Sequence, residues 1–371
     1  MIWRDISKTE TNLFKGIAIL MIVIHNFLHR FPTPKENEMV FFPERIFDLL
    51  SIITTEPQGI IRALFSFFGH FGVQIFIFLS AYGLTKKYHN NDNNIIYFSF
   101  IKERLLKIYP MFLLALLSYL IYMSIYTVFY EGLSLLPWLQ SIAKSFIFKV
   151  TLLFNLYPGQ GYSLVGPWWF MSFIFQFYLV FPFMLSLYKK YGTKFLVLIS
   201  CFAITLSFLT NGTFGNVSIF FTVLGHVPVL CLGMYFAKEQ EVKIPNIALF
   251  ALLLIYFVGN VNEQLFFVSH FCMALILIYL FTTIVKKLKV NSHLYKLFMF
   301  FGTISMPLFL VNGFLRAPLE GIAHKLDNEL ITLVLCVVCV SIASLYAICL
   351  QKMDTKLHAL INKLIGPKNS S

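Results

Sequence analysis

Long apolar runs recur along the chain and restrict what it can fold into more than any other feature. Several of them approach the roughly 20 residues that a helix needs to cross the hydrocarbon core of a bilayer. Of the 371 residues, 58% are hydrophobic and only 12% are charged, whereas about a quarter of a soluble domain is charged. The sequence therefore predicts an all-α, polytopic integral membrane protein. The first run lacks a small-residue cleavage site, so we expect it to remain as a span.

Ten transmembrane helices are predicted from these runs. Their expected ranges are 12–29, 65–85, 108–128, 166–188, 193–210, 216–236, 246–262, 264–285, 295–316 and 328–351. An even number of spans places both termini on the same side. Of the 29 Lys and Arg residues, 21 then fall on the side of the termini and 8 on the other. Because positive charge is retained on the inner side, both termini are predicted to be cytoplasmic.

One membrane domain, predicted over residues 1–355, accounts for nearly the whole chain, and residues 356–371 are expected to form a short basic cytoplasmic tail. The net charge of +12 follows largely from the loop asymmetry. The basic residues form no single stripe, which argues against a nucleic-acid partner. All six cysteines fall within predicted spans and form neither a disulfide framework nor paired CxxC metal ligands, so they are interpreted as packing residues.

Two long outer segments, about 30–64 and 129–165, interrupt the pattern of spans and short loops. The second carries Trp138 and an amphipathic stretch, SIAKSFIFKVTLLFNLY, followed by PGQGYSLVGPWW. One interpretation is an interfacial helix with an aromatic belt. The other is a cap over an outward-facing cleft, whose aromatic side chains stack on sugar rings. The two interpretations are compatible.

The first span, FKGIAILMIVIHNFLHR, carries polar residues at both ends. Lys15 lies near its inner end, and His25 lies roughly 15 Å further out at 1.5 Å per residue. Polar groups inside a bilayer are costly, so they indicate either function or a paired polar contact. Histidine titrates near neutral pH and is suited to general base catalysis.

Cations also mark the inner entrance of the third span. In FIKERLLKIYPMF, Arg104 and Lys107 are three residues apart and share a helical face just before Tyr109. Paired cations there suit a phosphate group. Anionic lipid headgroups and topology control are the alternatives.

The remaining intramembrane polar residues are expected by default to bridge helices through hydrogen bonds. They include Ser172, Gln176 and Tyr178 in the fourth span and Asn312 with Arg316 in the ninth. His226 and His270 are interpreted as hydrogen-bonded packing residues.

Four stretches together resemble the bacterial acyltransferase-3 family of integral-membrane O-acyltransferases. They are KGIAILMIVIHN, FIFLSAYGL, ERLLKIYPMF and PWWFMSFIFQFYLVFP, and the later SMPLFLVNGFLR fits the family pattern more loosely. The resemblance spans almost the whole chain. It implies transfer of an acyl group, usually acetyl, from cytoplasmic acyl-CoA to a carbohydrate hydroxyl at or beyond the outer face. It also implies a multi-pass location in the bacterial cytoplasmic membrane.

The resemblance and the residues together suggest roles for individual side chains, with His25 as general base or acyl relay. The catalytic candidates are His25, Asn26, Ser80 and Gln176; the candidates for binding the acyl-CoA are Lys15, Arg104, Lys107 and Tyr109; those for binding the carbohydrate acceptor are Trp168, Trp169, Tyr178, Asn312 and Arg316.

Some positions depart from the family pattern. The family usually has its first-span cation eleven positions before the histidine, whereas Lys15 is ten before His25. Ten steps leave the two side chains roughly 80° apart around the helix, and Asn26 lies almost directly above Lys15. Ala81 replaces a usual glycine, Ile174 and Phe175 stand where some members have two glutamates, and Asn312 stands where many have histidine.

Three other functions were considered. His25 and His29 are four residues apart and could share a metal, but no carboxylate or third ligand is near in sequence, so no metal is expected. Mid-span prolines would suit a transporter or flippase of a glycan or lipid-linked sugar, although no inverted repeat is visible. An acyltransferase that acts on a protein or lipid is the third possibility.

Overall fold

The computed structural model describes residues 2–32, 34–89, 95–239 and 241–365, and it is 81% helical. The prediction of an all-α protein is confirmed. The helices are α1 Lys8–Leu28, α2 Glu44–Thr55, α3 Ile60–Phe68, α4 Gly72–Tyr88, α5 Tyr97–Ile125, α6 Leu135–Val150, α7 Trp169–Tyr191, α8 Thr193–Leu209, α9 Val227–Lys238, α10 Asn246–Gly259, α11 Glu263–Lys287, α12 His293–Thr303, α13 Ser305–Leu315, α14 Ala317–Leu326 and α15 Glu329–Ile365.

Six helical segments of the described chain are long and apolar enough to cross a membrane. They are α1, the continuous segment Pro57–Tyr88, α5 with the turn that extends it to Tyr130, the segment Gly166–Tyr191, α11, and α15 up to Ile361. Three shorter apolar helices, α8, the segment Leu224–Lys238 and α10, coincide with other predicted spans. Each of the ten predicted ranges therefore falls on a helical segment, while ten crossings and cytoplasmic termini stay predictions.

The ninth predicted span is not one straight helix. It consists of α12 and α13, which meet at Ile304 with a bend of 80°. Pro307 occupies the third position of α13, where a proline cannot donate a backbone hydrogen bond to the preceding turn. In a first turn that N–H has no partner in the helix anyway, so the proline suits the start of a new helix.

Two short antiparallel strand pairs complete the described structure. Strand β1 (Ile2–Arg4) pairs with β4 (Glu241–Lys243), and β2 (Thr213–Phe214) pairs with β3 (Val217–Ser218). The first pair joins the N-terminal segment to the connection between α9 and α10. Next to it, the Tyr82 hydroxyl accepts from the backbone of Ile6 and donates to Asp5. These contacts hold the start of the chain against the inner end of α4.

Helix α1 packs against α3, α4, α11, α12, α13 and α15, and glycines allow the closest of these approaches. A Cβ at Gly16 would lie 1.9 Å from the carbonyl oxygen of Phe298 in α12. A Cβ at Gly69, between α3 and α4, would lie 2.5 Å from the Cβ of His25. No side chain fits at either distance, so Gly16 sets how closely α12 packs at the inner end of α1, and Gly69 sets how closely the α3–α4 turn packs at the outer end.

The two long outer segments are folded. The first forms α2 and α3, and the second forms α6 followed by turns. Most of α6 is exposed, as expected for an interfacial helix. At its end, the buried Lys149 Nζ donates to the carbonyls of Gln160 and Gly161 at 3.0 and 3.3 Å. Lys149 thereby holds the following loop over the outer end of α1.

The final helix is longer than the predicted border between domain and tail. Helix α15 continues without a break from Glu329 to Ile365, so residues 356–365 of the expected tail extend the last helix. Residues 366–371 of that tail lie outside the described residues.

Candidate active site

A cleft of about 560 Å³ opens at the end of α1 that the charge distribution places outside. Its walls come from α1, the turn between α3 and α4, the two outer segments, and the region where α13 meets α14. It is lined by Ile22, His25, Asn26, His29, Arg30, Glu36, Glu38, His70, Val73, Tyr162, Leu164, Val165, Gly166, Pro167, Trp169, Phe309, Gly313, Arg316, Ala317 and Glu320. Polar groups from five separate parts of the chain therefore converge in this cleft around His25.

His25 is held in one orientation by the end of α3. Its Nδ1 lies 3.2 Å from the carbonyl oxygen of Phe65 and 3.0 Å from that of Ser66. Carbonyl oxygens only accept, so Nδ1 carries the proton and donates it to them. The other nitrogen, Nε2, then has a free lone pair, and it has no hydrogen-bond partner among the described residues. The arrangement fixes the tautomer that a general base requires.

Two further imidazoles and a carboxylate surround His25. The ring of His29 stacks on that of His25 with centroids 4.6 Å apart, and the ring of His70 lies 5.5 Å away. Glu36 Oε1 lies 3.3 Å from His29 Nδ1. Lys35 Nζ donates to the carbonyl oxygen of His29 at 2.7 Å. That contact helps to fold the chain back so that Glu36 meets α1.

Glu36 and Glu38 have pKa values that are displaced in opposite directions. Burial raises the pKa of Glu36, but the hydrogen bond from His29 and the nearby imidazoles outweigh it, so this pKa lies well below its usual value. Burial and repulsion by Glu36 raise the pKa of Glu38 to about 8. At neutral pH this pair therefore consists of one carboxylate, Glu36, and one neutral carboxylic acid, Glu38, which can donate as well as accept a hydrogen bond.

Glu38 makes both stability and activity dependent on pH. The folded protein keeps its proton up to a pH of about 8, whereas an unfolded chain releases it near 4.5. The folded state binds more protons between these values, so stability falls as pH rises across the range. Activity is expected to fall near pH 8, where Glu38 loses its proton and adds a negative charge beside that of Glu36. Glu38→Gln should flatten both profiles in thermal unfolding and rate measurements, and exposed Glu44→Gln should not; unchanged profiles in Glu38→Gln would contradict the assignment.

Asn26 and Arg316 tie α1 to α13 at the rim of the cleft. Asn26 Nδ2 donates to Asn312 Oδ1 at 2.7 Å, and the Arg316 guanidinium donates to the Asn26 carbonyl. Arg316 also pairs with Glu320, 3.0 Å away. Three of the predicted site residues thus form one network, in which Asn26 and Arg316 line the cleft and Asn312 lies behind them.

The two adjacent tryptophans occupy different environments. Trp169 lines the cleft and stacks on His226, with centroids 5.6 Å apart. Trp168 is fully buried, and its Nε1 donates to the carbonyl oxygen of Leu310 at 2.8 Å. Of the two tryptophans, only Trp169 can contact a molecule bound in the cleft. Tyr162 also contributes an aromatic side chain to the lining.

A second cavity of about 180 Å³ lies on the inner side of the first. Two of the three predicted cations, Lys15 and Lys107, line it, together with Ser80 and Tyr178. Its full lining is Lys15, Ile22, Val73, Phe76, Ser80, Lys107, Ile108, Phe170, Met171, Ile174, Tyr178, Ser305, Met306 and Phe309. Three of these residues, Ile22, Val73 and Phe309, also line the outer cleft. The two cavities therefore adjoin at these three residues, between Lys15 and His25.

Lys15 and His25 line adjoining cavities although they are ten residues apart and not on the same face of α1. Lys15 lines the inner cavity, Ile22 lies where the cavities meet, and His25 and Asn26 line the outer cleft. Ile22, His25 and Asn26 are seven, ten and eleven residues after Lys15. They form a stripe along one side of α1, because seven and eleven residues each bring a helix back to nearly the same face.

Five predicted site residues line neither cavity. Arg104 is buried and pairs with Glu103. The Tyr109 hydroxyl donates to the carbonyl oxygen of Val150 at 2.9 Å. Gln176 lies near Ser172 Oγ and the backbone N–H of Val223, each at 3.4 Å. Trp168 and Asn312 are the other two, and the functional roles of all five stay predictions.

Sequence reasoning missed several residues that line the cleft. Glu36, Glu38 and Tyr162 come from the two outer segments, His70 from the second span and Glu320 from α14. The acidic pair in a long outer segment and a histidine within a span were available signals. Their proximity to His25 depends on tertiary contacts that no local pattern contains.

The comparison with protein families gives one match that covers nearly the whole chain. The model described as an acyltransferase domain, Acyl_transf_3, matches residues 9–350. Neither the curated proteins nor the solved structures include a match to the chain. The matched region contains every helix that lines the two cavities. The chain belongs to the acyltransferase-3 family and is a multi-pass membrane acyltransferase.

Proposed function

We propose that the protein transfers an acyl group, acetyl being the expected one, from cytoplasmic acyl-CoA to a hydroxyl of a cell-envelope or exported carbohydrate. The observation that carries this proposal is the pair of cavities that share Ile22, Val73 and Phe309. Cations lie at one end of the pair and His25 at the other. Acyl-CoA, which has anionic phosphates at one end and a reactive thioester at the other, fits this arrangement of the cations and His25.

The donor enters from the end that carries Lys15 and Lys107. The CoA phosphates make charge-assisted contacts with these two side chains, and the narrow pantetheine arm extends past Ile22. The rise of roughly 15 Å from Lys15 to His25 is of the same order as the length of that arm. The thioester therefore reaches the outer cleft while the nucleotide stays at the inner surface.

The acyl transfer takes place next to His25, and its bond changes balance as follows. The lone pair on Nε2 removes the proton from the acceptor hydroxyl, and the oxygen attacks the thioester carbonyl. The C–S bond breaks, the ester forms, and the thiolate of CoA leaves and takes up the proton from the imidazolium. A route through an acyl-histidine would use the same lone pair. In both routes the hydrogen bonds of Nδ1 to Phe65 and Ser66 keep Nε2 aimed at the substrates.

The lining of the outer cleft suits a carbohydrate acceptor. The carboxyl groups of Glu36, Glu38 and Glu320 accept hydrogen bonds from hydroxyl groups, and Trp169 with Tyr162 provides aromatic surface. Polar groups that fix orientation within an otherwise apolar cavity are typical of small-molecule sites. A bacterial cytoplasmic membrane gives this cleft access to surface polysaccharides or their lipid-linked precursors.

Mass spectrometry of cell-surface glycans tests the proposal. Strains that express the wild type or His25→Asn at equal levels are compared for ester-linked acyl groups. We expect loss of the ester with continued export of the polymer. Loss of export itself would instead favour a transporter or flippase, and unchanged esters in the variant would contradict the proposal.

The cations of the inner cavity should control the affinity for the donor. Lys15→Gln or Lys107→Gln removes a charge-assisted contact of about 1.5–3 kcal/mol, so the KM for acyl-CoA should rise by about tenfold or more. The matched control is Lys102→Gln, which lies on the same helix as Lys107, is exposed and does not line the cavity. Equal KM values in all three variants would show that the inner cavity does not bind the acyl-CoA phosphates.

A further inference from the structure

The folded chain brings together three residues whose side chains are metal ligands. His25, His29 and Glu36 each offer one ligand atom, and these atoms all lie within 4.8 Å of one another. Two of them, His29 Nδ1 and Glu36 Oε1, are only 3.3 Å apart. A tetrahedral zinc ion with bonds of about 2.0–2.1 Å separates its ligand atoms by roughly 3.3 Å. One pair is therefore already at the separation that a metal requires.

His25 has the hydrogen bonding of a metal-bound imidazole. A ligating histidine almost always donates its second ring N–H to a carboxylate, a backbone carbonyl or water, which fixes the ring and its tautomer. His25 donates from Nδ1 to the carbonyls of Phe65 and Ser66 and leaves Nε2 free. The same feature that suits a general base thus also suits a ligand.

Unpaired buried atoms indicate that the cleft accepts a further polar or charged occupant. Glu36 Oε2 and both ring nitrogens of His70 are buried without a hydrogen-bond partner. His70 is only 4% exposed, and its ring lies 5.5 Å from that of His25. Buried polar groups are almost always paired, so each exception calls for an explanation. A metal with bound water would pair Glu36 directly and give His70 a neighbouring donor or ligand.

We propose that His25, His29 and Glu36 bind a divalent transition metal of the zinc type in the outer cleft, and that the bound metal inhibits acyl transfer. Two imidazoles and one carboxylate with an open fourth position form a zinc donor set, whereas Ca²⁺ and Mg²⁺ require oxygen ligands. Closure needs a shift of up to about 1.5 Å, from separations within 4.8 Å to roughly 3.3 Å. His29 can supply it because it lies at the C-terminal end of α1 and is partly exposed. The inhibitory part rests on the proposed function, since a metal on Nε2 occupies the lone pair of the base.

Binding can be measured without any activity. The full-length protein, purified in detergent and freed of metal, is titrated with Zn²⁺ against a colorimetric chelator and with Co²⁺ for its visible spectrum. We expect one ion per chain and a tetrahedral Co²⁺ spectrum. His29→Gln and Glu36→Gln should each weaken Zn²⁺ binding at least tenfold. The controls His293→Gln and Glu44→Gln, both exposed and outside the cluster, should bind as the wild type does.

Wild-type Zn²⁺ affinity in both His29→Gln and Glu36→Gln, or no stoichiometric binding by the wild type, would overturn the metal site. Thermal unfolding confirms that each variant is folded before it is compared. A folded His29→Gln is sufficient for the test if Glu36→Gln does not fold.

Inhibition is measured for each protein as the rate of acyl transfer with Zn²⁺ divided by its rate without Zn²⁺. The wild-type ratio should fall with Zn²⁺ and recover with a chelator, and His29→Gln should require at least tenfold more Zn²⁺ for the same fall. Stoichiometric Zn²⁺ with an unchanged rate would overturn the inhibitory part. If no acyl transfer occurs under any condition, the proposed function fails while the binding titration still decides the metal site.

Discussion

Replacing His25 by asparagine should lower acyl transfer by at least about 100-fold, because a positioned general base contributes roughly 10²–10⁴ to the rate. The amide of asparagine places an N–H close to the position of Nδ1. The donor to the carbonyls of Phe65 and Ser66 is thereby retained, while the basic lone pair is lost. The rate is measured with purified protein, acyl-CoA and an acceptor glycan, together with the unfolding temperature of the variant.

The controls for this variant separate chemistry from folding. His293→Asn changes an exposed histidine on a different helix and should leave the rate unchanged. An unfolding temperature close to that of the wild type in His25→Asn shows that the loss is catalytic. A folded His25→Asn protein that keeps the wild-type rate would show that His25 is not the base.

Narrowing the junction between the cavities should stop transfer without removing the donor site. Val73 lines both cavities, and phenylalanine in its place fills the passage between Ile22 and Phe309. Misplacing a reacting group by about an ångström costs on the order of 100-fold in rate, so we expect a loss of at least that size. Binding of CoA should weaken far less than transfer, because Lys15 and Lys107 remain in place to hold its phosphates.

The matched control for Val73→Phe is Val73→Ala, which enlarges the same passage. We expect it to bind CoA and to retain transfer, at some cost in stability for the removed methyl groups. Normal transfer by a folded Val73→Phe protein would mean that the donor does not pass this point.

The helices were predictable because long apolar segments in a membrane have few alternatives to helix. The ten predicted ranges needed no tertiary information for this reason. The bend at Ile304 was not predicted, although Pro307 was visible in mid-span. A proline in a span can kink a helix or start a new one, and the surrounding packing decides which.

The site was predictable only in part. His25, Asn26, Lys15 and Lys107 lie on two helices whose periodicity and charge single them out, and all four line the two cavities. Glu36 was not linked to His29 because the chain must first turn back after α1. A search along the sequence for a third ligand therefore found none, while the fold places one 3.3 Å from His29.

The burial of individual side chains within the site was also beyond the sequence. Trp168 and Trp169 are adjacent and chemically equal, yet one is buried against Leu310 and the other lines the cleft. Successive residues on a helix point about 100° apart, so neighbours face different surroundings. Which of them faces the cleft depends on the position of α13.

The most direct test of the account measures on which side of the membrane each substrate is used. Purified protein is reconstituted in one orientation in sealed vesicles, acyl-labelled CoA is supplied only on the side of Lys15 and Lys107, and an acceptor glycan is supplied only on the side of His25. Labelled ester is expected on the acceptor across the intact membrane with the wild type, and none with His25→Asn. Transfer only when donor and acceptor share one side, or equal transfer by His25→Asn, would contradict this expectation.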